Sequence, residues 1–149
     1  PIVSFVFFLR GELDRKSFIF YSMIHFISGI FAVMIIHYIF QINIMQISDN
    51  HRGTFPLLVS EVIATFGLVS TILFVRKSDP SSVAVSVALF ITAGYWFTSS
   101  TSFANPAVTI ARVLTNTFTG IDFNSALYFI AGQFLGSFLA YLNFNLFED

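Results

Sequence analysis

The sequence predicts an all-α membrane protein: a bundle of spanning helices interrupted by re-entrant half-helices. Three observations predict it. The first is composition. Of 149 residues, 56% are hydrophobic and only 10% charged, whereas a soluble domain carries about a quarter charged residues. The 21 phenylalanines exceed what a soluble core of this size could hide, and mean hydropathy is +0.81. The second is segment length. Four apolar stretches, 17–40, 55–75, 81–100 and 125–147, are each long enough, at ~1.5 Å per residue, to cross a hydrocarbon core of about 30 Å. The third is an Asn-Pro break inside a further apolar run, "SSTSFANPAVTIARVL" (Ser99–Leu114).

The same composition excludes several function classes. A net charge of −1 offers no basic surface for nucleic acid. With no cysteine there is no disulfide framework, thiolate metal site or thiol nucleophile. No Ser–His spacing suggests a dyad and no acidic pair suggests a metal, so an enzyme is the weakest reading and no cofactor is expected. The chain opens on Pro1 with no charged leader before its first apolar run, and the reading expects the N-terminal part of a longer protein to lie upstream.

Along the chain, residues 1–9 are apolar and are followed by "RGELDRKS", a polar loop before the first span, 17–40. "QISDNHRGT" separates it from the second, 55–75, and "RKSDPSS" separates that from the third, 81–100. "TNTFTGIDFN" precedes the last, 125–147. If the spans alternate, Arg10, Arg15, Lys16, Arg76 and Lys77 share one side and Arg52 takes the other. The excess of Lys and Arg assigns the first side to the cytoplasm. The third span then ends outside near Ser100 and the last must begin outside near Asn124.

The stretch between therefore starts and ends on one face, although Phe103–Leu114 is mostly apolar. A helix over 105–116 would cover only ~18 Å, about half the core. A re-entrant loop that turns at Asn105-Pro106 and returns as a half-helix satisfies both facts. Pro106 suits the first helical position, and Asn105 suits the N-cap. Hydroxyls at Thr98, Ser99, Ser100, Thr101 and Ser102 can satisfy non-helical backbone at membrane depth. The half-helix would aim the positive end of its dipole at the membrane centre. A kinked continuous helix from Ala93 to Leu114 is the alternative reading of the same residues.

The start of the chain repeats this pattern. "PIVSFVFFLRGELDRKSFIFY" is similar to "PAVTIARVLTNTFTGIDFNSALY", with Pro1, Val3 and Ser4 against Pro106, Val108 and Thr109, and Gly29 against Gly136 after a short shift. Residues 1–9 then read as the end of a first half-helix. An odd number of crossings separates the copies, so their topology is inverted, as in transport folds.

These residues resemble the major intrinsic protein family, the aquaporins and aquaglyceroporins. "FANPAVTIAR" (Phe103–Arg112) resembles the second Asn-Pro-Ala box, and "PIVS" resembles the first box without its asparagine. "SEVIATFGLVSTILF" (Ser60–Phe74) resembles the helix that opens each half of the family's repeat, with its embedded glutamate at Glu61. The resemblance implies an aquaporin-like bundle, assembled as a homotetramer in the lipid bilayer, with one pore per subunit and its first two helices missing here. It implies that Asn105, Pro106, Ala107 and Pro1 line the pore, and that Glu61 braces the re-entrant backbone. The family's selectivity arginine directly follows the box, but here Val108 stands there and Arg112 lies one turn farther out. The other filter positions fall at Ala93 or Gly94 and at Ser102, all small. A small, less polar constriction implies passage of small neutral solutes bulkier than water, such as glycerol-like polyols. "NPAVTIAR" also resembles a bacterial branch of the family, which implies a bacterial inner membrane and neutral arsenite as a candidate solute.

Other polar residues admit plainer readings. His25 and His37 lie in one span, and a helix histidine is more often hydrogen-bonded than part of a pathway. Gln133 can bond a neighbouring helix. Gly132, Gly136 and Ala140 make a small-residue stripe that lets helix backbones approach. A coupled transporter would need a charged relay, for which the spans offer only Glu61. A scaffold protein without a pore would leave the Asn-Pro break as a mere kink.

Overall fold

Aspartate, asparagine and proline punctuate the chain, and the helices of a computed structural model covering residues 1–148 begin where they stand. Helix α1 spans Ile2–Leu9 and is closed by Gly11, whose φ of +71° a side chain would resist. The Asp14 carboxylate accepts hydrogen bonds from the N–H groups of Lys16 (2.9 Å) and Ser17 (3.1 Å), which starts α2 at Arg15 and carries it to Ile39. Helix α3, Phe55–Ser78, takes Pro56 in its first turn and holds Arg76 and Lys77 in its last, where cations suit the helix dipole. A single 3₁₀ turn, Pro80–Ser82, leads into α4, Val83–Phe97. Helix α5 is the short Pro106–Val113, and α6, Phe123–Leu146, starts from an Asp122 cap on Ser125 N (3.1 Å). Among the described residues there is no strand.

The helix ends differ from the expected segment ends for local reasons. The carboxylate caps start α2 and α6 slightly early, at Arg15 and Phe123 rather than 17 and 125. The cationic tail of α3 stays helical past residue 75 to Ser78. Helix α4 stops at Phe97 rather than 100, because Thr98 turns extended (φ −103°, ψ 135°) and Thr101, Ser102 and Ala104 adopt φ of 61°, 48° and 47°. No helix accommodates those left-handed residues. Helix α5 ends at Val113, short of residue 116.

Four helical stretches, Arg15–Ile39, Phe55–Ser78, Pro80–Phe97 and Phe123–Leu146, are long and apolar enough to cross a bilayer. This is a multi-pass integral membrane protein. Helices α3 and α6 form its central pair. A Cβ added at Gly132 would lie 2.8 Å from Leu58 O, and one at Gly136 would lie 3.0 Å from Phe66 N. The two backbones touch there because nothing larger than hydrogen stands between them. Ala140 continues the stripe into a buried cluster with Val6, Val69, Leu73 and Phe144. Helix α4 packs on α3, while the short helices pack between long ones, α1 against α6 and α2, α5 against α2 and α6. Gly29 of α2 lets α5 approach, with its position 3.4 Å from Ala107 O by the same measure.

The bundle has two chemically distinct ends. At one, Arg10 pairs with Glu12 and Glu148 (2.6 Å each), Arg76 reaches Glu12, and Lys77 reaches the Glu148 carbonyl. The guanidinium groups of Arg10 and Arg76 also lie over the rings of Phe144 and Phe7, at 4.7 and 4.9 Å. Burial works to raise the Glu12 carboxyl, but hydrogen bonds from Arg10 and Arg76 outweigh it and hold the group below its ordinary value. The other end gathers Arg52, His51, Asp122 and the far end of α5.

Candidate pore site

The path of residues 98–113 is fixed by its hydrogen bonds. Near the Arg52 end, Arg52 Nη2 donates to the Ser100 carbonyl (3.0 Å) and the Thr101 hydroxyl (3.3 Å). Next inward, Ser100 N donates to Ser60 Oγ (3.1 Å). One residue along α3, the Glu61 carboxylate accepts Phe103 N at one oxygen and Ala104 N at the other, both at 2.9 Å. The chain then turns at Asn105 and climbs back as α5, whose Val113 carbonyl accepts Ser48 N (2.8 Å). Ser48 and Arg52 belong to the same α2–α3 connection, so the segment enters and leaves by one end of the bundle.

This backbone is costly and its neighbours explain why it persists. Left-handed non-glycine residues cost about 1–3 kcal/mol each, and three of them fall between Thr101 and Ala104. Glu61 is fully buried, which a carboxylate tolerates only when well bonded. Besides the two amide N–H groups it accepts Gln133 Nε2 (2.7 Å), and the same nitrogen donates to Thr109 Oγ1 of α5 (2.8 Å). One carboxylate and one amide thereby knot α3, α5, α6 and the loop.

Asn105 caps α5 through Oδ1, which accepts Ala107 N at 2.9 Å. Its amide nitrogen donates to no group among the described residues. Asn105 lines a cavity of about 430 Å³ shared with Pro1, Val3, Ser4, Tyr21 and His25. The N-terminal ends of α1 and α5 thus open on the same space, and both dipoles aim positive ends at it. No carboxylate is among the lining residues.

The other candidate filter residues lie toward the Arg52 end. Gly94 is buried against Ser102, whose Oγ would be 2.8 Å from an added Cβ, whereas its neighbour Ala93 is exposed. Val108 packs on the cluster of Phe103, Val113, Ile121, Ala126 and Phe129. Arg112 sets its guanidinium 4.1 Å from the Phe103 ring centroid and borders two outer cavities of about 600 and 500 Å³. His37 is a staple: one ring nitrogen meets the Ile44 carbonyl and the other the Thr115 hydroxyl, each at 2.9 Å. Two residues stand out that the sequence reading treated lightly, Gln133 as half of the buried knot and Arg52 at the outer cavity. A single glutamine buried two helices from a single glutamate is a signal that only the packing completes.

Fold and site together define an aquaporin-like bundle, four spanning helices around two short helices that start at its middle. The chain is 40% identical over 140 residues to the aquaglyceroporin AqpS of Rhizobium meliloti (strain 1021), a match covering 94% of this chain. It is related to the aquaglyceroporins of the major intrinsic protein family. The chain spans 60% of that relative's length. No family model matches it, and no solved structure matches it.

Proposed function

We propose that this chain forms part of a passive channel for small uncharged solutes: water, glycerol-like polyols and neutral arsenite. The observation that carries the reading is Asn105, whose amide nitrogen has no partner among the described residues, lining a cavity on which the N-terminal ends of two helices open. Such a donor can replace a hydrogen bond that a hydroxylated solute leaves behind in water. The converging positive ends oppose cations and protons. Pro106 and Ala107 hold the turn, Pro1 borders the same cavity, and Glu61 braces the strained loop. Gly94, Ser102, Val108 and Arg112 form the outer constriction, with Ala93 outside it. A coupled transporter finds little support, because both oxygens of Glu61 are already occupied by backbone and Gln133 donors. The working form is a homotetramer in a bacterial inner membrane, with Arg10, Arg76 and Lys77 on the cytoplasmic side.

Proteoliposome swelling with glycerol tests the proposal. Asn105→Asp is expected to lower flux about tenfold without changing the melting temperature by more than a few degrees, because it removes the donor and adds charge at the dipole junction. Unchanged flux in that variant would remove Asn105 from the pore.

A further inference from the structure

Nothing in the Asn-Pro-Ala box explains Arg52, which belongs to the connection between α2 and α3. Its Nη2 holds the Ser100 carbonyl and Thr101 hydroxyl, and its guanidinium lies 5.0 Å from the Phe103 ring centroid and 5.6 Å from that of Phe129. It is half-buried, and burial draws it below the ordinary arginine value, with the nearby Arg112 charge adding to the effect and the Glu61 charge opposing it. Both arginines border the cavity of about 500 Å³ lined also by Tyr95, Trp96 and Thr101. Neither makes a salt bridge among the described residues. Two aspartates share that end, Asp49 and Asp122; Asp122 is engaged by Ser125 and His51, and neither lines the cavity. The outer cavity is therefore lined by two positive charges and no carboxylate, beside Thr101 and the loop that leads to Asn105, with the buried Glu61 charge offsetting Arg52 only in part.

We propose that Arg52 is a specificity-determining residue of the outer mouth, working with Arg112 to supply the fixed positive charge that Val108 does not. The inference rests on the channel reading above. Arg52 is anchored through one nitrogen, so its remaining N–H groups are free to donate to hydroxyl oxygens of a neutral solute. Its charge repels small cations before they reach the central cavity. Because the loop holds it by the Ser100 carbonyl, the charge sits at the constriction rather than ranging over the surface.

The test uses the full chain reconstituted in vesicles of uncharged lipid, with acetamide as neutral probe and methylammonium as cationic probe. Arg52→Gln is expected to raise the methylammonium-to-acetamide permeability ratio on the order of tenfold, while Arg52→Lys keeps it within about twofold of wild type. An unchanged ratio in Arg52→Gln, or a lysine variant that behaves like glutamine, overturns the proposal. If Arg52→Gln does not reconstitute, the wild-type protein decides. Raising ionic strength from roughly 0.02 to 0.5 M should raise the ratio as the vestibule charge is screened, and a salt-independent ratio overturns the proposal. Wild-type vesicles impermeable to acetamide would instead sink the channel reading itself, so the two failures are distinguishable.

Discussion

Replacing Glu61 by alanine should unfasten the re-entrant loop. The carboxylate satisfies two buried backbone donors, Phe103 N and Ala104 N, and the Gln133 amide. Gln133 retains Thr109 as an acceptor, so the net loss falls on the two N–H groups. Each buried donor left without a partner costs about 1–3 kcal/mol, giving about 2–6 kcal/mol before any cavity left by the side chain is counted. The scaling of roughly 2–4 °C per kcal/mol for a chain of this size converts that to a fall of roughly 5–20 °C in a thermal melt of the detergent-solubilised protein. Glu61→Gln keeps one acceptor oxygen and should forfeit about half as much. Solute flux should fall in the same order, because Ala104 directly precedes Asn105. If Glu61→Ala melts within about 2 °C of wild type, the left-handed backbone is held by something other than this carboxylate, and the reasoning fails.

Glycine substitutions offer a paired contrast. A methyl group at Gly136 meets backbone atoms of α3, Val62 O and Phe66 N, which cannot yield, whereas one at Gly67 meets only the movable ring of Phe90. Gly136→Ala should destabilise by about 1–3 kcal/mol, and Gly67→Ala by clearly less, in the same melting assay. Acid should loosen the Arg10 end. Glu12 and Glu148 are both held below their ordinary value of 4.5, Glu12 against the opposing effect of burial and Glu148 chiefly by its hydrogen bond from Arg10. Their contribution is therefore fully present above about pH 4.5 and is lost as pH falls through the depressed values. Melting temperature should hold from pH 7 to 5 and drop below pH 4, and Arg10→Met should flatten that drop.

Much of this architecture is legible in the sequence because it follows from length and punctuation. Four apolar stretches with polar links announce spanning helices, and Asn105 announces where α5 begins, whereas the caps at Asp14 and Asp122 set two other starts slightly ahead of the apolar runs. The end of α4 is less legible: the hydroxyl run Thr98–Ser102 marks it only loosely, and the extended Thr98 with the left-handed angles at Thr101, Ser102 and Ala104 fix it at Phe97. Choosing Gly94 over Ala93 likewise requires knowing which side of α4 meets Ser102. Arg52 illustrates the limit most clearly. As a lone cation in a polar loop it marks a side of the membrane, and its reach to Ser100 depends on how the α2–α3 connection folds over the half-helix. Interactions between residues distant in the chain carry no local pattern by which to find them.

The Glu61–Gln133 knot also imposes an order on biogenesis. Synthesis delivers Glu61 first, the Phe103–Ala104 donors next and Gln133 last, so the re-entrant segment emerges before its final clasp exists. Until the last helix enters the membrane, the half-built hairpin exposes Thr109 and one carboxylate oxygen without their amide. The nascent chain must therefore be sheltered from lipid through that interval, and slowing translation between residues 109 and 133 would prolong the exposure.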